Sequence, residues 1–297
     1  MSGWFIIVAH TVSVTAISAS LVPYIYNWVG VAEPTKTQSL GLTIGLILVV
    51  GFINRLGVRV TAQVNNLGVI AEIAGLVLLI GAFLLIKHPT NSANFFDTGG
   101  AIASSGKTMG FIMALLLPGY LISSFDSTGN AAEETVNASK NASKGTAYAG
   151  IASFFAGALM FALLIFAIQD VPGIMESSTP AGDIMRAAVG DNVTNIFEIL
   201  AVLALFATMV ILQLTGVRVL WSQARDGQMP GSTWLRKVDS HKVPINATYL
   251  LTAFAVLFAV WSSLLSVLAA TAAFAWAAAY TLVVLSGLYG VVKKLLP

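Results

Sequence analysis

The stretch from Lys107 to Asp126 carries the residues best suited to meet a small solute: Pro118, Gly119 and Tyr120, then Ser123, Ser124, Phe125 and Asp126. It is otherwise apolar, but Pro118 removes a backbone donor and clashes with the preceding turn, and Gly119 adds backbone freedom. Backbone groups freed in an apolar run must find protein, water or a ligand. The segment therefore reads in two ways, as a helix broken to receive a solute or as a proline kink satisfied by its neighbours. Directly after it, Asp126, Asn130, Glu133 and Asn137 fall on one face of a continuing helix. That stripe either lines an aqueous vestibule or is a solvated face, and solvation is the simpler account of Glu134.

Two further titratable residues lie inside apolar runs. Glu72 sits about ten residues into one, near its middle at ~1.5 Å per residue, and an ionisable group there is costly enough to suggest a function. It equally suits a structural hydrogen bond to Asn65, Asn66 or a neighbouring helix. His10 suits a proton relay or an ordinary helix contact. Glu198, a turn inside its run, reads as interfacial. Trp4, Tyr24, Tyr26, Trp28, Trp234 and Tyr289 read as a belt at the membrane boundary.

Enzyme chemistry finds little footing. There is no cysteine, no metal-spaced His or Glu set, no phosphate loop and no nucleophile elbow. His10, His88 and His241 fall in a span and two different loops, so no triad or metal site is expected. The formal charge of +2 gives no general attraction to nucleic acid.

The elements that position these residues follow from composition. Of 297 residues, 57% are hydrophobic and 9% charged, too few charges for an aqueous surface. Lys242 and Lys293 bracket fifty residues without a charge. As one helix these would reach about 75 Å, against ~30 Å of hydrocarbon, so they form two spans. Met1 to Trp4 lacks a basic n-region, so the first run is a span and not a secretory signal. Eight spans emerge, at 4–26, 39–54, 62–86, 107–125, 145–168, 194–216, 246–264 and 267–291: an all-α, polytopic membrane protein forming one domain over 1–297. Loops 54–61, 126–144 and 217–243 with the tail hold eleven Lys and Arg, and the alternate loops hold four. The basic set is therefore cytoplasmic, with the cell membrane as the expected location.

Three motifs then resemble one family. Phe125-Asp-Ser-Thr-Gly-Asn-Ala-Ala-Glu133-Glu134-Thr-Val-Asn137-Ala-Ser-Lys140 is similar to the inner half of helix six and the following loop of amino acid–polyamine–organocation permeases, closest to the amino acid, GABA and choline branch. Arg218 to Pro230, with Ala224-Arg-Asp-Gly227, and then Pro244-Ile-Asn246-Ala resemble that family's loop after helix eight. Asn54-Arg-Leu-Gly57-Val-Arg59, continuing to Asn65-Asn66, resembles its connection from helix four to helix five.

The resemblance implies the leucine-transporter fold of inverted repeats, with the eight spans equivalent to helices three to ten. The first three would close the first repeat and the last five form the second. It implies a substrate-binding set of Tyr120, Leu121, Ile122, Ser123, Ser124 and Phe125, and a gate of Tyr120, Asp126, Glu133 and Glu134. Glu72 and His10 are the coupling-ion candidates, H+ preferred over Na+, with no metal and no cofactor. Helices one and two and the final pair have no counterpart here. The expected function is secondary active transport of an amino acid or related small amine by alternating access. The alternative is a truncated, non-transporting remnant that only assembles with or modulates a full-length permease. Expected partners are the substrate and the lipid bilayer, with no nucleic acid; the oligomeric state is open.

Overall fold

The computed structural model describes residues 2–31, 33–84, 92–96, 109, 111–112, 115, 123–126, 136–239, 243–262 and 264–293. Helix α1 (Ser2–Trp28) is the most enclosed element, although its middle is rich in hydroxyls. It can be both because Thr11, Thr15 and Ser18 donate to the carbonyls of Ile7, Thr11 and Val14 one turn back, at 2.7, 3.2 and 2.7 Å. Each hydroxyl is thus satisfied within its own helix and presents mostly carbon to its neighbours. Thr15 also reaches the Ala255 carbonyl at 2.9 Å.

The other elements follow in chain order. Helix α2 (Lys36–Arg55) starts at a Thr35–Gln38 capping box and α3 (Val58–Leu84) follows a turn at Gly57, whose φ is +99°. A single 3-10 turn covers Ser92–Phe95. Then come α4 (Ala138–Ala167), the short α5 (Val171–Glu176) and α6 (Pro180–Val189), α7 (Asp191–Arg225), the short α8 (Ser232–Leu235), α9 (Ile245–Trp261) and α10 (Leu265–Val292). No strand occurs among the described residues. Among the described residues six helices are long and apolar enough to cross a membrane, and α9 is a shorter apolar helix. The chain is an all-α, multi-pass integral membrane protein. Most of the expected span 107–125 lies outside the described residues.

Helix α7 runs nine residues past the expected end of its span, to Arg225. Val217, Leu220 and Ala224 on that extension are buried with Ile7, Met229, Leu235, Ala247 and Leu251, so packing below the span keeps the helix intact. Where α3 crosses α7, a Cβ on Gly68 would overlap that of Ala207, and the two backbones meet on that missing side chain. Small residues at such crossings allow the close packing that holds membrane helices together. The central core groups Trp276 with Ala9, Val14, Leu21, Ile47, Met209 and Ala275.

Four helices are also joined by a buried polar network. Asn54 on α2 donates through Nδ2 to Gln213 Oε1 (2.8 Å) and to the Val210 carbonyl (3.1 Å) on α7. Thr61 on α3 donates to Asn54 Oδ1 at 3.3 Å, and Gln213 Nε2 donates to Thr252 Oγ1 on α9 at 2.9 Å. Gly57 and Val243 lie within reach of each other at this end, while Glu33, Ser178 and Ser262 share a cavity at the other.

Candidate functional site

Ser123 to Asp126 form a half-buried turn. Ser124 has a φ of +65°, the left-handed region in which a residue with a Cβ is uncommon and which costs of order 1–3 kcal/mol unless the surroundings hold it. Here the support comes from α10. The Ser124 backbone N–H donates to Tyr280 Oη at 2.7 Å, and Tyr280 Oη donates to Asp126 Oδ1 at 2.9 Å. One phenol thus takes a backbone donor released by the turn and delivers its own proton to the acid two residues on. The Phe125 ring lies against Tyr280, with centroids 5.2 Å apart, and Gly150 on α4 backs its other side.

From Tyr280 the contacts continue inward as a ladder. Tyr280 stacks on Trp276 one turn earlier, at 5.5 Å and 27°. Trp276 is fully enclosed; its Nε1 donates to Ser13 Oγ at 3.3 Å, and its ring meets the His10 ring edge-on at 4.8 Å and 75°. His10 is completely buried, and neither ring nitrogen has a hydrogen-bond partner among the described residues. Space for its ring exists because α7 has Gly216 opposite, where a Cβ would sit 2.9 Å from that of His10. A buried polar group without a partner is rare enough to require an explanation, and transient hydration is the obvious chemical one.

Of the residues singled out from sequence, the turn brings Ser123, Ser124, Phe125 and Asp126 together, and the ladder joins them to His10. Tyr120, Leu121, Ile122, Glu133 and Glu134 lie outside the described residues, as do Pro118 and Gly119. Glu72 stands apart: its side chain is exposed on α3 and makes no hydrogen bond or ion pair with a described residue. The structural bond to Asn65 or Asn66 is therefore not seen. Sequence reasoning missed Ser13, Trp276 and Tyr280. The available signal was two large rings at i and i+4 in the alanine-rich run Ala272 to Tyr280, a spacing that places them on one helix face.

At the end of the bundle capped by α6, Glu198 is only 2% exposed, because α6 covers it with Gly182 against its carboxylate. It accepts from Arg186 at 3.0 Å, and Arg186 also holds Asp191 at 2.7 Å. The bond to Asp191, with some help from Glu198 and Asp183, raises the Arg186 guanidinium above its ordinary value despite partial desolvation, so it stays charged. This acid reads from sequence as an interfacial one; in the fold it is an enclosed anchor for α6.

The profile of the family described as Amino acid permease matches residues 1–295. This chain belongs to the amino acid permease family. It is 25% identical to the amino-acid permease BAT1 of Arabidopsis thaliana, over 84% of this chain and 53% of that protein. It is 27% identical to the branched-chain amino acid permease BcaP of Bacillus subtilis, over 83% of this chain and 54% of that protein. An uncharacterized amino-acid permease of Schizosaccharomyces pombe is 28% identical over 76% of this chain and 42% of its own length. The chain spans about half the length of these curated relatives. Membership in a family of permeases makes this a transporter-family chain and not an enzyme.

Proposed function

We propose that the chain forms the substrate-binding core of a secondary active permease for amino acids or related small amines, working by alternating access. The observation that carries this is the turn at Ser124. A left-handed serine beside an acid, both held by one phenol from another helix, is a backbone kept open at the level where a solute would meet it. Family membership supplies the solute class. In this reading the backbone and hydroxyls of Ser123 and Ser124 receive the substrate, together with Tyr120, Leu121, Ile122 and Phe125. Asp126 bonded to Tyr280 is the closed position of the inner gate, to which Glu133 and Glu134 also belong. Release requires the Tyr280–Asp126 bond to part.

Protons are the preferred coupling ion, with Na+ as the alternative. His10 is the stronger carrier candidate, since it lies at the end of the ladder from the turn, and Glu72 is the weaker. The test is uptake of labelled amino acids by proteoliposomes holding the purified chain, beginning with branched-chain substrates on the precedent of the name of BcaP. Accumulation that follows an imposed pH gradient and falls in Asp126→Asn is the expected result. Absence of uptake from a folded chain under every gradient favours the non-transporting alternative. Proton-driven uptake unchanged by Glu72→Gln removes Glu72 from the mechanism.

A further inference from the structure

A cavity of about 410 Å³ opens at the outer end of the bundle, away from the turn at Ser124. The end of α1, the start of α2, the end of α9 and the start of α10 form its walls, and Ser178 reaches in from the link between α5 and α6. Its volume is in the range of small-molecule sites, which pair apolar walls with a few convergent polar groups. The walls here are mostly carbon, from Val22, Pro23, Pro34, Leu40 and Leu268. The polar groups are one carboxylate, Glu33, the Asn27 amide and the hydroxyls of Ser39, Thr43, Ser178 and Ser262, with no lysine or arginine among the described lining residues. Glu33 forms no ion pair or hydrogen bond with a described residue. The chain directly after it is braced. Glu33 precedes Pro34, whose φ is restricted, and Thr35, where the backbone N–H donates to Gln38 Oε1 at 2.8 Å and Oγ1 accepts from the Gln38 N–H at 3.3 Å. An unpaired acid on a braced loop, above an apolar cup without a cation, favours a positively charged ligand and repels a carboxylate.

We propose that this cup is a second binding site, for a small primary ammonium ion that carries a short apolar chain and no carboxylate. The site selects against a zwitterionic amino acid, whose carboxylate would meet Glu33 with no lysine or arginine among the described lining residues to offset the repulsion, and it is independent of the transport reading. The ammonium can belong to a free amine or to an ethanolamine lipid headgroup.

The test is calorimetric titration of the full chain in detergent with n-butylammonium, beside n-butanol and norvaline. The expected result is saturable binding of n-butylammonium, weakened about tenfold or more in Glu33→Gln and unchanged in Asp126→Asn. Butanol and norvaline should bind at least tenfold more weakly. Glu33 is exposed and unpartnered, so its replacement leaves the fold intact. Added phosphatidylethanolamine that competes with n-butylammonium identifies the headgroup as the source, and lack of competition points to a free amine. Equal binding by Glu33→Gln, equal binding of norvaline, or loss of binding in Asp126→Asn overturns the proposal. The last outcome would assign the ammonium to the central turn.

Discussion

The bundle contains two buried polar groupings built on opposite terms. At the inner end, Asn54, Thr61, Gln213 and Thr252 pair amide with amide and hydroxyl with carbonyl across four helices. In the middle, the ladder from Asp126 through Tyr280 and Trp276 ends on His10, which has no hydrogen bond among the described residues, and it rests against a left-handed Ser124. A satisfied network in a low-dielectric interior fixes one arrangement of its helices. A grouping with a spare ring and a strained turn has bonds still to make, and a transporter needs such a place between more than one arrangement. On the proposed function, the first grouping is a pin and the second a site.

Breaking the pin should have the largest effect on stability. Asn54→Leu keeps the volume but removes three bonds and leaves Gln213 Oε1 without its donor. Interhelical hydrogen bonds in membranes average about 0.6 kcal/mol each, so the loss is about 2 kcal/mol. A thermal melt in detergent should show it, while the substrate concentration for half-maximal uptake stays unchanged. An unaltered melt would mean that the network does not pin the bundle.

Tyr280→Phe acts on the other grouping. It keeps the stacking on Trp276 and the contact with Phe125 but leaves the Ser124 N–H and the Asp126 carboxylate without the phenol. The expected outcome is a maximal uptake rate about tenfold lower, equivalent to about 1.4 kcal/mol, with a smaller change in melting than Asn54→Leu gives. If the melt falls as far as in Asn54→Leu while the uptake rate holds, the phenol belongs with the pin.

The difference between the groupings also explains what the sequence could reveal. The all-α, multi-pass character was legible because hydropathy is a local property of the chain. Ser124 and Asp126 were legible because a break and a polar stripe stand side by side in the chain. Tyr280 was not, since 154 residues separate it from Asp126 and only the folded bundle joins them. The extra turns of α7 were hidden for the same reason, as their support comes from α1 and from residues after Asp226. His10 was visible as a residue but not as an unsatisfied one, because satisfaction depends on neighbours that lie far away in sequence.

The outer ion pair lies between the extremes, with Glu198 enclosed and Arg186 about 39% exposed. Solvent at the guanidinium weakens the pair, so a double-mutant cycle with Arg186→Met and Glu198→Gln should give a coupling of about 1 kcal/mol. Arg186→Met alone should cost more than it does in the Glu198→Gln background, because it leaves an enclosed carboxylate unpaired. A coupling near zero would make α6 a passive cover over α7.

The smallest expected change in stability is also the sharpest test of the contrast. His10→Phe removes two ring nitrogens that bond to no described residue, so no hydrogen bond is lost. The edge-to-face contact with Trp276 survives, since a phenyl ring meets an indole in the same geometry. Replacing an unsatisfied buried polar ring by an apolar one is close to neutral, so the melt should move by less than about 0.5 kcal/mol in either direction. If His10 carries the coupled proton, the same variant abolishes accumulation driven by a pH gradient but retains exchange of labelled for unlabelled substrate, which needs no net proton movement. Stability and coupling would then separate at a single residue. A melt lowered as far as in Asn54→Leu would show instead that His10 is held by a partner, and the distinction between pin and site would fail at its most buried member.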